Sequence, residues 1–164
     1  MRKSFEKFLV TLLRLSMGWT FLWVFLDKLL GLGYSTVKGE GWIEGVSPTS
    51  NFLSNSSPES PFTEVFQAMV GQSWVDWLFM IGVAGVGIAL ILGIVIRMAG
   101  VVGSILSLLI FLAIFPPEEN PIMTFHIIYI LVLLLLSATP SGDWLGLGKW
   151  WGRTRLVKGF PFLK

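Results

Sequence analysis

The chain has 164 residues, of which 54% are hydrophobic and 13% charged, with a mean hydropathy of +0.75. Soluble domains average about 25% charged residues, so a water-soluble globule and a disordered chain are both excluded. The length bounds the protein to one domain, the net charge of +2 is small, and the lack of cysteine excludes disulfides, thiolate metal sites, covalent c-type haem attachment and thiol nucleophiles.

A membrane-spanning helix needs about 20 mostly apolar residues, and the first such stretch is 8–32. Arg2, Lys3 and Lys7 precede it as in a secretory signal, but Arg14 interrupts the apolar region and the stretch runs on to Leu32, so it reads as a span. The segment 34–73 that follows is too long for a simple turn. Its first half, rich in Gly and Ser, reads as ordered loop. In its second half Phe62, Val65, Phe66, Met69 and Val70 fall on one helical face, with Ser60 as cap, Pro61 at the first position and Gly71 as stop. That pattern predicts a short amphipathic helix on the membrane interface. Asn55-Ser56-Ser57 fits the glycosylation sequon, but Pro58 follows and a bare loop is the expectation.

The second and third spans, 74–96 and 98–115, flank Arg97, which is expected to mark a tight turn; Pro116-Pro117 ends the third. The fourth, 122–138, lies between Pro121 and Pro140. In lipid, helices associate through small residues, so Gly82, Gly85, Ala89 and Gly93 on the second span are expected to pack against Ala99, Gly103 and Ser107 on the third. Gly85-Val86-Gly87 sits mid-span with no strand before it and is not a dinucleotide fingerprint. The tail 141–164 carries Trp144, Trp150 and Trp151 among Lys149, Arg153, Arg155 and Lys158, a composition suited to anionic lipid rather than nucleic acid. The expected fold class is therefore an all-α membrane protein: a four-transmembrane-helix antiparallel bundle with a short external amphipathic helix. With the N-terminus inside, Arg2, Lys3, Lys7, Arg97, Lys149, Arg153, Arg155, Lys158 and Lys164 are cytoplasmic, against Lys38 alone in the external loops. The acids Glu40, Glu44, Glu59, Glu64, Asp76, Glu118 and Glu119 fall outside. This predicts a multi-pass cell-membrane protein with both termini cytoplasmic.

Ionisable residues within spans are costly and are functional hypotheses by default. Here they are Arg14, Asp27, Lys28 and His126. At a rise of about 1.5 Å per residue, Arg14 lies in the inner leaflet, while Asp27, Lys28 and His126 share a depth near the outer one. At 100° per residue, Trp23 and Asp27 share one lane of the first helix, Arg14, Phe25 and Lys28 another, and His126 and Tyr129 one face of the fourth. Asp27, Lys28, His126 and Tyr129 are thus expected around one polar pocket. The structural readings beside it are a snorkelling Lys28, an Asp27–Lys28 ion pair, an interhelical hydrogen bond for His126, and a carbonyl or Asp143 as the buried partner of Arg14. Met98 and Met123 have no spacing that pairs them with His126 around a haem.

The run Arg14-Leu15-Ser16-Met17-Gly18-Trp19-Thr20-Phe21-Leu22-Trp23-Val24-Phe25-Leu26-Asp27-Lys28-Leu29 resembles the opening of DoxX/DoxD-family membrane proteins. Gly41-Trp42-Ile43, Gly45-Val46-Ser47-Pro48-Thr49, Val75-Asp76-Trp77-Leu78-Phe79-Met80-Ile81-Gly82, Pro116-Pro117-Glu118-Glu119-Asn120-Pro121 and His126-Ile127-Ile128-Tyr129 resemble the archaeal branch, so the resemblance covers residues 14–151. It implies a four-helix membrane bundle and, from the name-giving member, a subunit of a thiosulfate:quinone oxidoreductase. Phe125 stands where those relatives tend to carry an acid before the histidine, which weakens an acid–histidine proton relay.

Two functions follow. In the first, quinone is the cofactor: His126, Asp27, Lys28 and Tyr129 serve as catalytic groups, and Arg14, Trp23 and Phe25 contact the quinone. Phe21, Leu29 and Ile130 line its slot. The chain has no haem, flavin or metal signature, so a redox partner subunit is expected to deliver electrons. In the second, the chain is a non-catalytic membrane scaffold, assembly or cargo-binding protein, with the external segment as recognition surface and Trp42 and Phe52 as anchors. The bilayer is a partner in both readings, and a homo-oligomer is compatible with both. A transporter is disfavoured by the lack of an inverted repeat.

Overall fold

The computed structural model describes residues 2–117, 120 and 122–163, and these are helical without a strand. Glu118 and Glu119, counted above as external charges, Pro121, expected to open the fourth span, and Lys164 of the basic tail lie outside the described residues. The helices are α1 (Arg2–Leu30), α2 (Ser50–Ser54), α3 (Thr63–Ala68), α4 (Ser73–Leu92), α5 (Ile96–Ala113), α6 (Phe125–Ala138), α7 (Gly148–Trp151) and α8 (Arg155–Gly159). Single 3-10 turns occupy Trp42–Glu44, Ser141–Asp143 and Pro161–Leu163.

Within α1, and in α4 and α5, the helix is long and apolar enough to cross a membrane. With 14 residues, α6 is apolar but only about 21 Å long at 1.5 Å per residue, short of a hydrocarbon core of about 30 Å. It starts at Phe125, because Thr124 is extended.

The break between α4 and α5 falls before Arg97 rather than at it. Gly93 takes φ +74°, a left-handed end to α4 that a glycine adopts without strain. Residues 93–95 form the turn, so Arg97 belongs to the first turn of α5.

The core gathers Met17, Phe21, Val83, Val86, Leu90, Ile96, Ala99, Leu133 and Leu136 from α1, α4, α5 and α6. The close approach of α4 is to α1, running antiparallel to it. A Cβ on Gly87 would lie 2.7 Å from the Leu22 nitrogen, and one on Gly18 would lie 2.9 Å from Ile91 Cγ1. The second close pair is α5 with α6, where a Cβ on Gly100 would lie 2.8 Å from the Leu133 carbonyl oxygen and one on Gly103 2.9 Å from Leu133 Cδ1.

The expected small-residue seam is therefore displaced. Gly85 is exposed with open space around it, and the buried lane of α4 is Asp76, Met80, Val83, Gly87 and Leu90. Gly82 still meets α5, through the Leu106 side chain. Spacing alone misplaced the seam because a glycine facing away from the protein leaves the same trace in the sequence as one against a neighbouring backbone.

Between α1 and α4 the chain folds onto one end of the helices. Leu53 of α2 and Phe66 of α3 bury against Ala113 of α5, with Met69 and Val70 beside them. The amphipathic helix expected around 62–70 is thus α3, shorter than expected, with Phe62 and Val65 exposed. Ser60 Oγ accepts from the Phe62 N–H at 3.3 Å, the capping bond its spacing predicts, just ahead of the first residue of α3. Its hydroxyl donates to the Leu112 carbonyl at 2.7 Å, and the Ser57 N–H donates to the Ala113 carbonyl at 2.9 Å. These are the last carbonyls of α5, which no residue within the helix can satisfy. A second tie runs to α4, where the buried Asp76 carboxylate accepts from Thr49 Oγ1 at 2.6 Å and Ser47 Oγ at 2.8 Å.

Candidate functional site

Arg14 is wholly buried and its guanidinium spans two elements. Nη1 donates to the Leu90 and Ile91 carbonyls at the end of α4, and Nη2 donates to the Leu145 and Trp144 carbonyls of the tail at 2.9 and 3.2 Å. The planar fork reaches both acceptor pairs at once, which a lysine cannot do. A positive charge at a helix C-terminus also suits the macrodipole. Carbonyls, rather than Asp143, are its partners. With both terminal nitrogens committed, Arg14 is a structural clasp and not the quinone contact expected from sequence.

Asp27 is also wholly buried. Its carboxylate accepts from the backbone N–H groups of Tyr34 (3.2 Å), Ser35 (2.9 Å) and Thr36 (2.9 Å) and from Ser35 Oγ (2.7 Å). Consecutive backbone N–H groups form a concavity that favours an anion, and here the anion is supplied by the helix that the loop leaves. The expected pairing with Lys28 is replaced by this cap. The half-buried Lys28 follows it in the chain.

Two of the expected slot residues fill the interior instead: Phe21 is part of the buried core and Phe25 packs against it. Trp23 stands edge-on to Tyr34 with ring centroids 5.1 Å apart and lies 5.7 Å from Trp19. Together with Thr20 and Val24, the two tryptophans border an open groove along α1.

The histidine differs from these. His126 sits in the first turn of α6, only 7% exposed, and its Nδ1 has no hydrogen-bond partner among the described residues. Its ring lies 4.0 Å from that of Phe125, and Phe125 in turn meets Tyr129 edge-on at 5.7 Å. The neighbouring Thr124 hydroxyl is likewise buried without a partner. A buried polar group is ordinarily hydrogen-bonded, and Nδ1 of His126 and the Thr124 hydroxyl are among the exceptions in the described residues. His126 and Tyr129 are thus linked through Phe125. No hydrogen bond among the described residues joins any two of Asp27, Lys28, His126 and Tyr129.

Sequence reasoning missed the Asp76 clamp and the close approach at Gly87. An acid in the first turn of an apolar span was the available sign of the former. Among the described residues no three His, Cys, Asp or Glu side chains gather as metal ligands. Against known protein families, curated proteins and solved structures, the chain has no match.

Proposed function

We propose that the chain is the membrane subunit of a quinone-linked oxidoreductase of the DoxX/DoxD type, with four spans, both termini cytoplasmic and the segment between α1 and α4 outside. In this reading α6 and the apolar residues just before it make the fourth span. The observation that carries the reading is the buried, unpartnered Nδ1 of His126 beside Phe125 and Tyr129. A quinone supplies what that site lacks, a lipophilic ring with a carbonyl oxygen that accepts a hydrogen bond. Two electrons from a partner subunit and two protons convert it to the quinol, and His126 delivers a proton at the carbonyl it holds. Arg14 and Asp27 keep the frame rigid.

The test is mass spectrometry of extracts from purified protein, together with thiosulfate-dependent quinone reduction in membranes. His126→Ala is expected to lose the bound quinone and to slow turnover by about 100-fold, the lower range for removing a general acid. A wild-type protein free of quinone, or an unimpaired variant, overturns the reading.

A second reading, a non-catalytic scaffold or cargo-binding protein, is favoured by a different observation. Asp76, Ser57 and Ser60 fix the segment between α1 and α4 on the helix ends, with Tyr34 and Ile43 exposed upon it and Trp74 and Trp77 exposed at the adjoining start of α4. Under that reading a partner protein crosslinks to this surface and His126→Ala leaves its capture unchanged.

A further inference from the structure

The chain after α6 folds onto the end of the molecule where α4 stops. Arg14 donates to the Trp144 and Leu145 carbonyls, and the Lys7 ammonium stands 5.7 Å from the centre of the Trp144 ring. The Leu147 N–H donates to the Leu92 carbonyl at 2.8 Å. Farther along, the Trp151 indole N–H donates to the Leu163 carbonyl at 2.7 Å, which closes 151–163 into a loop, and the turn Pro161–Leu163 lies against α5. Val157 of α8 is buried. The tail is thus a folded unit fixed to the long helices at both of its ends.

This unit turns two kinds of side chain outward. Lys149, Arg153, Arg155 and Lys158 are exposed, and no acidic residue follows Asp143 in the chain. Among these cations Trp150, Leu156, Phe160 and Phe162 are each more than half exposed, and Phe160 meets Phe162 edge-on at 6.0 Å. Unopposed positive charge interleaved with bare aromatic and leucine side chains matches one environment, the headgroup layer of a bilayer containing anionic lipid. There the apolar groups reach the acyl boundary while the cations meet phosphates.

We infer that the folded tail docks on an anionic lipid surface and that this docking, transmitted through Arg14, stabilises the helices. Charge complementarity selects anionic over zwitterionic headgroups, and the attachment to the end of α4 and to α5 brings the tail to the level of that surface. Because Nη2 of Arg14 has its acceptors in the tail, lipid that holds the tail in place also favours the assembled clasp, as any ligand of the folded state does. Docking requires only that α4 and α5 span a bilayer, and it stands apart from the quinone reading.

The chain has no cysteine, so a nitroxide on Gly159→Cys reports alone, and a Cβ there meets nothing within 4 Å. Full-length protein carrying the label is reconstituted into vesicles of phosphatidylcholine, with or without phosphatidylglycerol. Electron paramagnetic resonance compares collisions of the label with oxygen, which concentrates in the bilayer, and with a nickel chelate, which stays in water. Circular dichroism on heating gives the thermal midpoint. Phosphatidylglycerol is expected to shift the label from nickel towards oxygen and to raise the midpoint. The combined variant Lys149→Gln, Arg153→Gln, Arg155→Gln and Lys158→Gln is expected to lose both responses. High salt, which screens exposed charges, is expected to return the label of the unsubstituted tail towards water and serves even if that variant does not fold. A label at equal depth in the two lipids, or responses that survive both neutralisation and salt, overturn the inference. A label that stays in water in every vesicle also overturns it and leaves the surface to an acidic protein.

Discussion

Two buried charges in α1 illustrate how a side chain can substitute for water at a helix end. The terminal carbonyls of α4 are satisfied by Arg14 and the loop N–H groups by Asp27. Arg14→Met removes the donors for four carbonyls and is expected to destabilise the protein by about 3 kcal/mol or more, since each unsatisfied buried group costs roughly 1–3 kcal/mol. Arg14→Lys restores only part of the loss, because one ammonium cannot serve acceptors on both α4 and the tail. Thermal denaturation in detergent measures both. If Arg14→Met matches the wild type, the four carbonyls are satisfied by another route and the clasp is not what holds the tail.

At the scale of an element, the glycines of α4 separate by what lies opposite them. Gly87 faces the backbone of α1 at Leu22, Gly103 of α5 faces Leu133 and Val86, and Gly85 faces open space. Gly87→Leu and Gly103→Leu are therefore expected to cost about 1–3 kcal/mol through overpacking, with Gly85→Leu close to neutral. Melting curves of the three variants rank them, and a Gly85 variant as damaged as the Gly87 variant refutes the assignment. The element boundaries show a related limit of the sequence. Hydropathy located the apolar stretches, but the turn belongs to Gly93, whose left-handed conformation fixes it, while Arg97 drew attention because it is charged. Ser60 accepts the Phe62 N–H as its type and spacing imply, but its hydroxyl proton goes to a carbonyl 52 residues away. No local pattern encodes that choice.

Across the whole molecule, composition made the helical character and the long apolar helices legible, and the rarity of charge within the apolar stretches made Arg14, Asp27 and His126 legible as buried. Their partners were not, because each lies in a segment whose approach depends on tertiary packing: the α4 end and the tail for Arg14, the loop backbone for Asp27. The topology proposed from the distribution of Lys and Arg is tested by cysteines introduced singly, at Ser54 between α1 and α4 and at Thr154 in the tail. An impermeant maleimide applied to intact cells is expected to label the first and spare the second. The reverse pattern inverts the protein in the membrane.

The clasp at Arg14 also bears on how the protein is made. Its acceptors at Leu90 and Leu145 lie 76 and 131 residues further along the chain, so during synthesis α1 reaches the bilayer with its guanidinium unmatched. Nη1 finds its acceptors only after α4 has been placed beside α1, and Nη2 finds its own only when the tail has folded back. Ribosomes stalled before residue 144 should therefore hold a nascent chain in which α1 still samples the insertion channel or the water at its edge. Full-length chains should leave the channel as one assembled unit.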